Sequence, residues 1–272
     1  VGAVLGGAGS AFQTIFGNPL VEPGFLGVSQ GSAFGAAAAM LLGAPLEPGA
    51  GSLLVGASAF ACGLLSLRLS VFLAGRFRFG GQVLRLVLAG IAVSALFSSL
   101  LAAAKYAADP LSQLPDITFW TMGGLQAMGW SRLAGAAPVA LLSLVALFAL
   151  RWRANLLSLD DEAARALGAR PELERGAIVV AATAGVAAMT AVCGIVSWVG
   201  LVVPHAARML AGPDGRRSIP ASMAIGALFA LACDGVARTA LPGELPLGIL
   251  TSLAGACLFA FLLASRRTAV AC

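Results

Sequence analysis

The sequence predicts an all-α polytopic membrane protein, and three observations carry that prediction. Only 11% of the residues are charged and 59% are hydrophobic, with a mean hydropathy of +0.94, whereas a soluble domain carries about a quarter charged residues. The apolar residues fall in long runs of Ala, Leu, Val and Gly, on the scale of the ~20 residues that cross a bilayer core as a helix. Those runs do not alternate in polarity at a spacing of about ten residues, as the strands of a membrane barrel would.

Nine apolar spans follow in order: 1–16, 25–42, 52–74, 83–106, 133–150, 177–195, 198–210, 219–239 and 247–264. Val1 stands inside the first run, with no charged segment or cleavage site before it, so the expectation is a chain truncated at its N-terminus. Between Tyr106 and Leu133 lies a long connection with DPLSQLPD and FWTMGG, expected as a partly ordered lid. The five cysteines are odd in number and form no CxxC pair, which argues against a disulfide framework or a zinc site.

The basic residues set a direction. If the end of the first span is cytoplasmic, the inside segments hold 14 of the 17 Lys and Arg, leaving Lys105, Arg132 and Arg238 outside. Cytoplasmic loops carry such an excess, so the net charge of +5 is a matter of topology and implies no nucleic acid. The C-terminus, with Arg266 and Arg267, is then cytoplasmic. Two segments share a pattern of apolar helix, small residues, proline break and short helix: GAVLGGAGSAFQTIFGNPLVEPGFLG from Gly2 and GVAAMTAVCGIVSWVGLVVPHAARMLAG from Gly185. By the charge count they enter the membrane from opposite sides, as inverted repeats of a transporter do.

One long polar stretch is cytoplasmic, RWRANLLSLDDEAARALGARPELER from Arg151. Ser158 is placed to cap a helix over 159–168 whose start holds Leu159, Asp160, Asp161 and Glu162, acids suited to the positive helix end. Ala163, Ala166 and Leu167 line one face, and Gly168 is placed to stop the helix. An exposed amphipathic helix below the membrane has something to bind, the bland alternative being a solvated loop helix. His205, the single histidine, has no second ligand nearby, so a hydrogen bond at a helix end is favoured over a metal role. Asp234 and Arg238 lie four apart and share a helix face, either as a structural ion pair or with Arg238 free for an acidic partner.

Absences narrow the function. The single lysine, Lys105, follows Ala104, so no GxxxxGK[ST] loop holds nucleotide phosphates and the chain cannot hydrolyse ATP. HExxH does not occur, and the GVSQG run at 27–31 lies within an apolar span, so no HExxH or GxSxG motif suggests a membrane protease or hydrolase. Carboxylates are nearly absent from the middles of the spans, which weighs against an ion-coupled secondary carrier, the alternative transporter class.

Five blocks carry a resemblance. NPLVEPGFLGVSQGSAFG from Asn18, WTMGG from Trp120, LSLDDEAARALG from Leu157, GIVSWVGLVVPHAARMLAGPDGRRSIPAS from Gly194 and DGVARTALPGELPLGILTSLAGACLFAFLL from Asp234 stand in this order. Together they resemble the permease subunits of iron-siderophore, haem and vitamin B12 ABC importers, the type II importers, over essentially the whole chain. The resemblance implies one permease domain over 1–272 with ten-helix architecture and inverted repeats, the first helix and the start of the second missing here. It implies a homodimer with two ATPase subunits below, which bind the ATP and magnesium, and a substrate-binding protein on the outer face. No cofactor is expected in this chain. Asn18 and Leu20 match the family's cytoplasmic gate, Val83 and Leu84 align with its second half, residues 152–175 match the ATPase coupling segment, and Arg238 matches a docking arginine. The implied cargo is a ferric siderophore, with haem, cobalamin and molybdate-type oxyanions as alternatives.

Overall fold

The computed structural model describes residues 1–44, 50–126, 128–240 and 245–264. The described chain is helical, without a strand. In order it forms α1 (Gly2–Ile15), a 3-10 turn (Pro23–Leu26), α2 (Val28–Leu41), α3 (Ala50–Arg76), α4 (Gln82–Ala107), α5 (Gln113–Met122) and α6 (Trp130–Leu156). It continues with α7 (Asp161–Ala166), α8 (Pro171–Cys193), α9 (Val199–Ala211), α10 (Gly215–Thr239) and α11 (Leu247–Ala264). Helices α3, α4, α6, α8 and α10 are long and apolar enough to cross a membrane. Of these, α8 is the most buried and α6 the least.

Every expected span is a helix, and the differences have local causes. The span at 25–42 divides because Gly27 takes φ +81°, so the 3-10 turn ends there and α2 starts behind it. The span at 219–239 begins earlier, at Gly215, because the Asp214 carboxylate accepts the Arg216 N–H at 2.8 Å and caps the polar first turn. The connection expected as a lid instead holds α5. Its Ile117 is 1% exposed and lies in one apolar core with Met40, Leu101 and Ala104. The Gln113 side-chain amide adds a bond to the Met40 carbonyl at 3.3 Å. The end of the chain, with Arg266 and Arg267, lies outside the described residues.

The chain forms two compact units, neither of them a continuous stretch. The first takes Val1–Pro23, Val139–Gly185 and Ser197–Cys272. Within it α1 packs on α9 and α10, and the fit with α9 is backbone on backbone: a Cβ at Gly9 would stand 2.0 Å from the Gly200 carbonyl oxygen. Buried Gln13 donates to the Leu201 carbonyl at 3.1 Å and accepts from Arg208. The second unit takes Gly24–Pro138 and Val186–Val196. There α2, α3 and α4 pack on one another. Serine hydroxyls reach carbonyls across these contacts, Ser58 to Gly35 at 2.8 Å and Ser70 to Leu26 at 3.0 Å. Ala191 and Ile195 lie against that unit's core.

Candidate functional site

The polar stretch after α6 folds into a short helix fixed from behind. Asp160 is its N-cap, accepting the Ala163 N–H at 2.7 Å. Ser158, the expected cap, donates instead to the Asn155 carbonyl at 2.7 Å. The helix expected over 159–168 is therefore shorter, Asp161–Ala166. Gly168 ends it at φ +81°, with the Ala169 N–H donating to the Ala164 carbonyl at 3.0 Å.

Three ion pairs hold this segment. Arg175, only 4% exposed, donates to the Asp161 carboxylate at 3.1 Å and to the Leu157 carbonyl at 3.4 Å. A guanidinium that deep is tolerated because a carboxylate meets it. Arg165 pairs with Glu172, and Arg153 stands 3.5 Å from Glu174, both acids in the first turn of α8. Ala164 is fully buried. Asp161, its side chain 40% exposed, is thus tied to α8 as a strut, while Leu159 at 44% and Leu167 at 60% are exposed with Glu162 and Ala166. Ala163 is half-buried beside them. The result is a rigidly backed apolar face with an acid at its rim, a surface made for a partner groove.

A second anchor lies next to it. Asn155 donates to the Asp214 carboxylate at 2.6 Å and accepts the Gly215 N–H at 2.7 Å, tying the end of α6 to the start of α10. The Arg216 backbone N–H and the Asn155 amide hold Asp214 below the usual carboxylate range. Its cap is therefore complete above that range and is lost as pH falls through the lowered value. Neither this anchor nor the role of Arg175 was foreseen, because each depends on residues far apart in sequence.

The remaining expected site residues fall in three places. Asn18 and Leu20, in the first unit, form a tight turn after α1: the Leu20 N–H donates to the Asn18 side-chain oxygen at 2.9 Å, and Asn18 donates to the Gln13 carbonyl at 3.2 Å. Both side chains are exposed. Val83 and Leu84, in the second unit, occupy the first turn of α4, Val83 half-buried and Leu84 exposed. Arg238 makes the expected pair with Asp234, Nε to Oδ2 at 2.8 Å, and remains accessible near the end of α10. His205 departs from expectation. It lies inside α9, and its Nε2 is buried without a hydrogen-bond partner.

Comparison with known proteins covers nearly the whole chain. The sequence pattern of the FecCD transport family matches residues 1–265. The molybdate import system permease protein MolB of Haemophilus influenzae is 40% identical over 96% of this chain and 76% of its own length. A Helicobacter pylori permease named for an iron chelatin transport system is 39% identical over 98% of this chain and 78% of its own. Among solved structures, an inward-facing one described as a metal-chelate type ABC transporter superposes with a TM-score of 0.90 at 37% identity, covering 96% of this chain and 82% of that one.

Proposed function

We infer the task of this chain from one premise: it belongs to the FecCD transport family. It is a multi-pass membrane permease subunit of an ABC importer, a transport component. We propose that its cargo is a ferric chelate, a siderophore complex first and haem or cobalamin next. The likeness to a metal-chelate transporter and to an iron chelatin permease supports this cargo. A molybdate-type oxyanion is the second reading, favoured by the 40% identity to a molybdate permease.

The observation that carries the mechanism is the exposed apolar surface of Leu159, Ala166 and Leu167 on and beside a helix that two ion pairs, Asp161–Arg175 and Arg165–Glu172, tie to α8. In the proposal this face seats in a separate ATPase subunit, where ATP and magnesium are bound. Force applied to α7 passes through Asp161 and Arg175 into α8. Two permease copies act with two ATPases. Asn18 and Leu20, with Val83 and Leu84, close the cytoplasmic end of the path, and Arg238 meets an acidic residue of a substrate-binding protein on the outer face. The charge count supports a cytoplasmic C-terminus.

The test is uptake into proteoliposomes holding the permease, its ATPase and its binding protein. Ferric hydroxamate, haem, cobalamin and molybdate are each offered with and without ATP inside. The expected result is ATP-dependent accumulation of the ferric chelate. Accumulation of molybdate alone would move the cargo to the second reading. Uptake driven by an ion gradient without the ATPase would contradict the ABC mechanism.

A further inference from the structure

Among the described residues Arg153, Arg165, Arg175 and Arg238 meet carboxylates. Arg151, Arg216 and Arg217 enter no ion pair among the described residues, although Asp214 stands beside two of them in sequence. That carboxylate is already engaged, by the Asn155 amide at 2.6 Å and the Arg216 N–H at 2.8 Å. Two of the guanidiniums, those of Arg151 and Arg216, lie over aromatic rings, and Arg217 is exposed beside them in sequence. Arg216 lies over the Trp152 ring with its central carbon 3.3 Å from the centroid, and Arg151 lies over Phe148 at 3.8 Å. Stacking fixes the plane of a guanidinium, and although one Arg151 N–H donates to the Phe148 carbonyl, further N–H groups remain to bind a planar or tetrahedral anion. In the second unit Arg76 over Phe72, at 5.0 Å, is a looser and single example.

The neighbourhood is amphipathic. Leu141, Val145, Phe148 and Trp152 fall at helical spacing along α6, and all four are exposed. They form a stripe on the least buried of the candidate spans. The stripe runs to the end of the helix and meets the arginines there, where the Asn155 and Asp214 contacts bring the start of α10. A ligand that satisfies both parts carries an anionic phosphate and hydrocarbon chains. A tryptophan at the boundary suits the headgroup level of a bilayer, and basic side chains between helix ends are a recurring seat for anionic lipid headgroups.

We propose that Arg151, Trp152, Arg216 and Arg217 form a specific site for the phosphate of an anionic phospholipid whose acyl chains lie along the exposed face of α6. The lipid braces the junction between α6 and α10, directly before the segment that leads into α7. The site is independent of which cargo the permease carries.

The test is a titration of the purified permease–ATPase complex in detergent with fluorescent phosphatidylglycerol, read by anisotropy. The expected binding is saturable and weakens on going from about 0.1 to 0.5 M salt, where screening shortens to a few ångströms. The variant carrying Arg151→Gln, Arg216→Gln and Arg217→Gln should bind at least about 10-fold more weakly. Arg216→Lys, which keeps the charge but loses the flat stacked fork, should cost about 3-fold, and it guards against a triple variant that fails to fold. Lys105→Gln, which belongs to the second unit and is not among the cluster's residues, should bind as the wild type does. Equal affinity in the triple variant, or equal affinity for phosphatidylcholine, would overturn the site. Displacement of the lipid by millimolar inorganic phosphate would reduce it to a plain anion site. Loss of the ATPase subunits from the triple variant, with lipid binding intact, would reassign the patch to a protein interface.

Discussion

The chain stops an apolar helix inside the fold twice, after α1 and after α8, and it uses different chemistry each time. After α1 the break is written in prolines: Pro19 and Pro23 bracket a turn held by the Asn18 side chain. Gly17, at φ +58°, has no neighbour within 4 Å of where a Cβ would stand. After α8 no proline occurs. Gly194, at φ +68°, lies against another backbone, its missing Cβ 2.2 Å from the Trp120 carbonyl oxygen and 2.9 Å from the Gly123 Cα. The helix behind each break begins on a left-handed residue. For α2 it is Gly27, where that conformation is free, and for α9 it is Trp198 at φ +70°, where it costs about 1–2 kcal/mol. The ring of Trp198 meets Phe259 edge-on at 6.0 Å, and its Cβ lies above Gly255. Local residue chemistry makes the first break, whereas tertiary contacts make the second and offset the strain of its tryptophan.

That difference can be broken most severely at Gly194. Gly194→Ala combines a left-handed cost with a backbone clash, and a loss of about 3–5 kcal/mol is expected, seen as a collapse in yield and thermal midpoint in detergent. Gly27→Ala should lose less, about 2 kcal/mol, because its Cβ would meet the Val93 side chain at 3.1 Å and the Ser94 nitrogen at 3.2 Å. At Trp198 the comparison is between two truncations. Both lose the ring, but Trp198→Gly should be more stable than Trp198→Ala by about 0.5–1 kcal/mol, reversing the usual order of alanine over glycine. Gly17→Asn should stay within about 0.5 kcal/mol of the wild type, since asparagine accepts this conformation in open space. A thermal midpoint for Gly17→Asn as low as that of Gly194→Ala would show that the two breaks are built alike.

What was legible in the sequence follows the same division. The spans were visible because apolar runs and charge placement are local signals, and so was the Asp234–Arg238 pair, four residues apart on one helix. The end of α7 was visible because Gly168 is a local stop. The cap was misplaced by two residues, since Ser158 and Asp160 are both good caps and the pull of Arg175 on Asp161 decides where the turn begins. The α5 segment read as a lid because its polar flanks mask Ile117, whose burial depends on α2 and α4. The buried Gln13–Arg208 contact and the Asn155–Asp214 anchor join residues far apart in the chain, and no spacing announces them.

We propose that the exposed side of α7 receives the ATPase while its other side is fixed to α8. Leu167→Asp changes only the exposed side, and Arg175 and Asp161 keep their contact. In proteoliposomes containing the full importer, ATP hydrolysis and cargo uptake are measured together for this variant. Uptake per ATP is expected to fall at least about 10-fold, the equivalent of about 1.4 kcal/mol of coupling, while the purified permease keeps its thermal midpoint. Wild-type uptake per ATP, with the ATPase still bound at wild-type affinity, would contradict it.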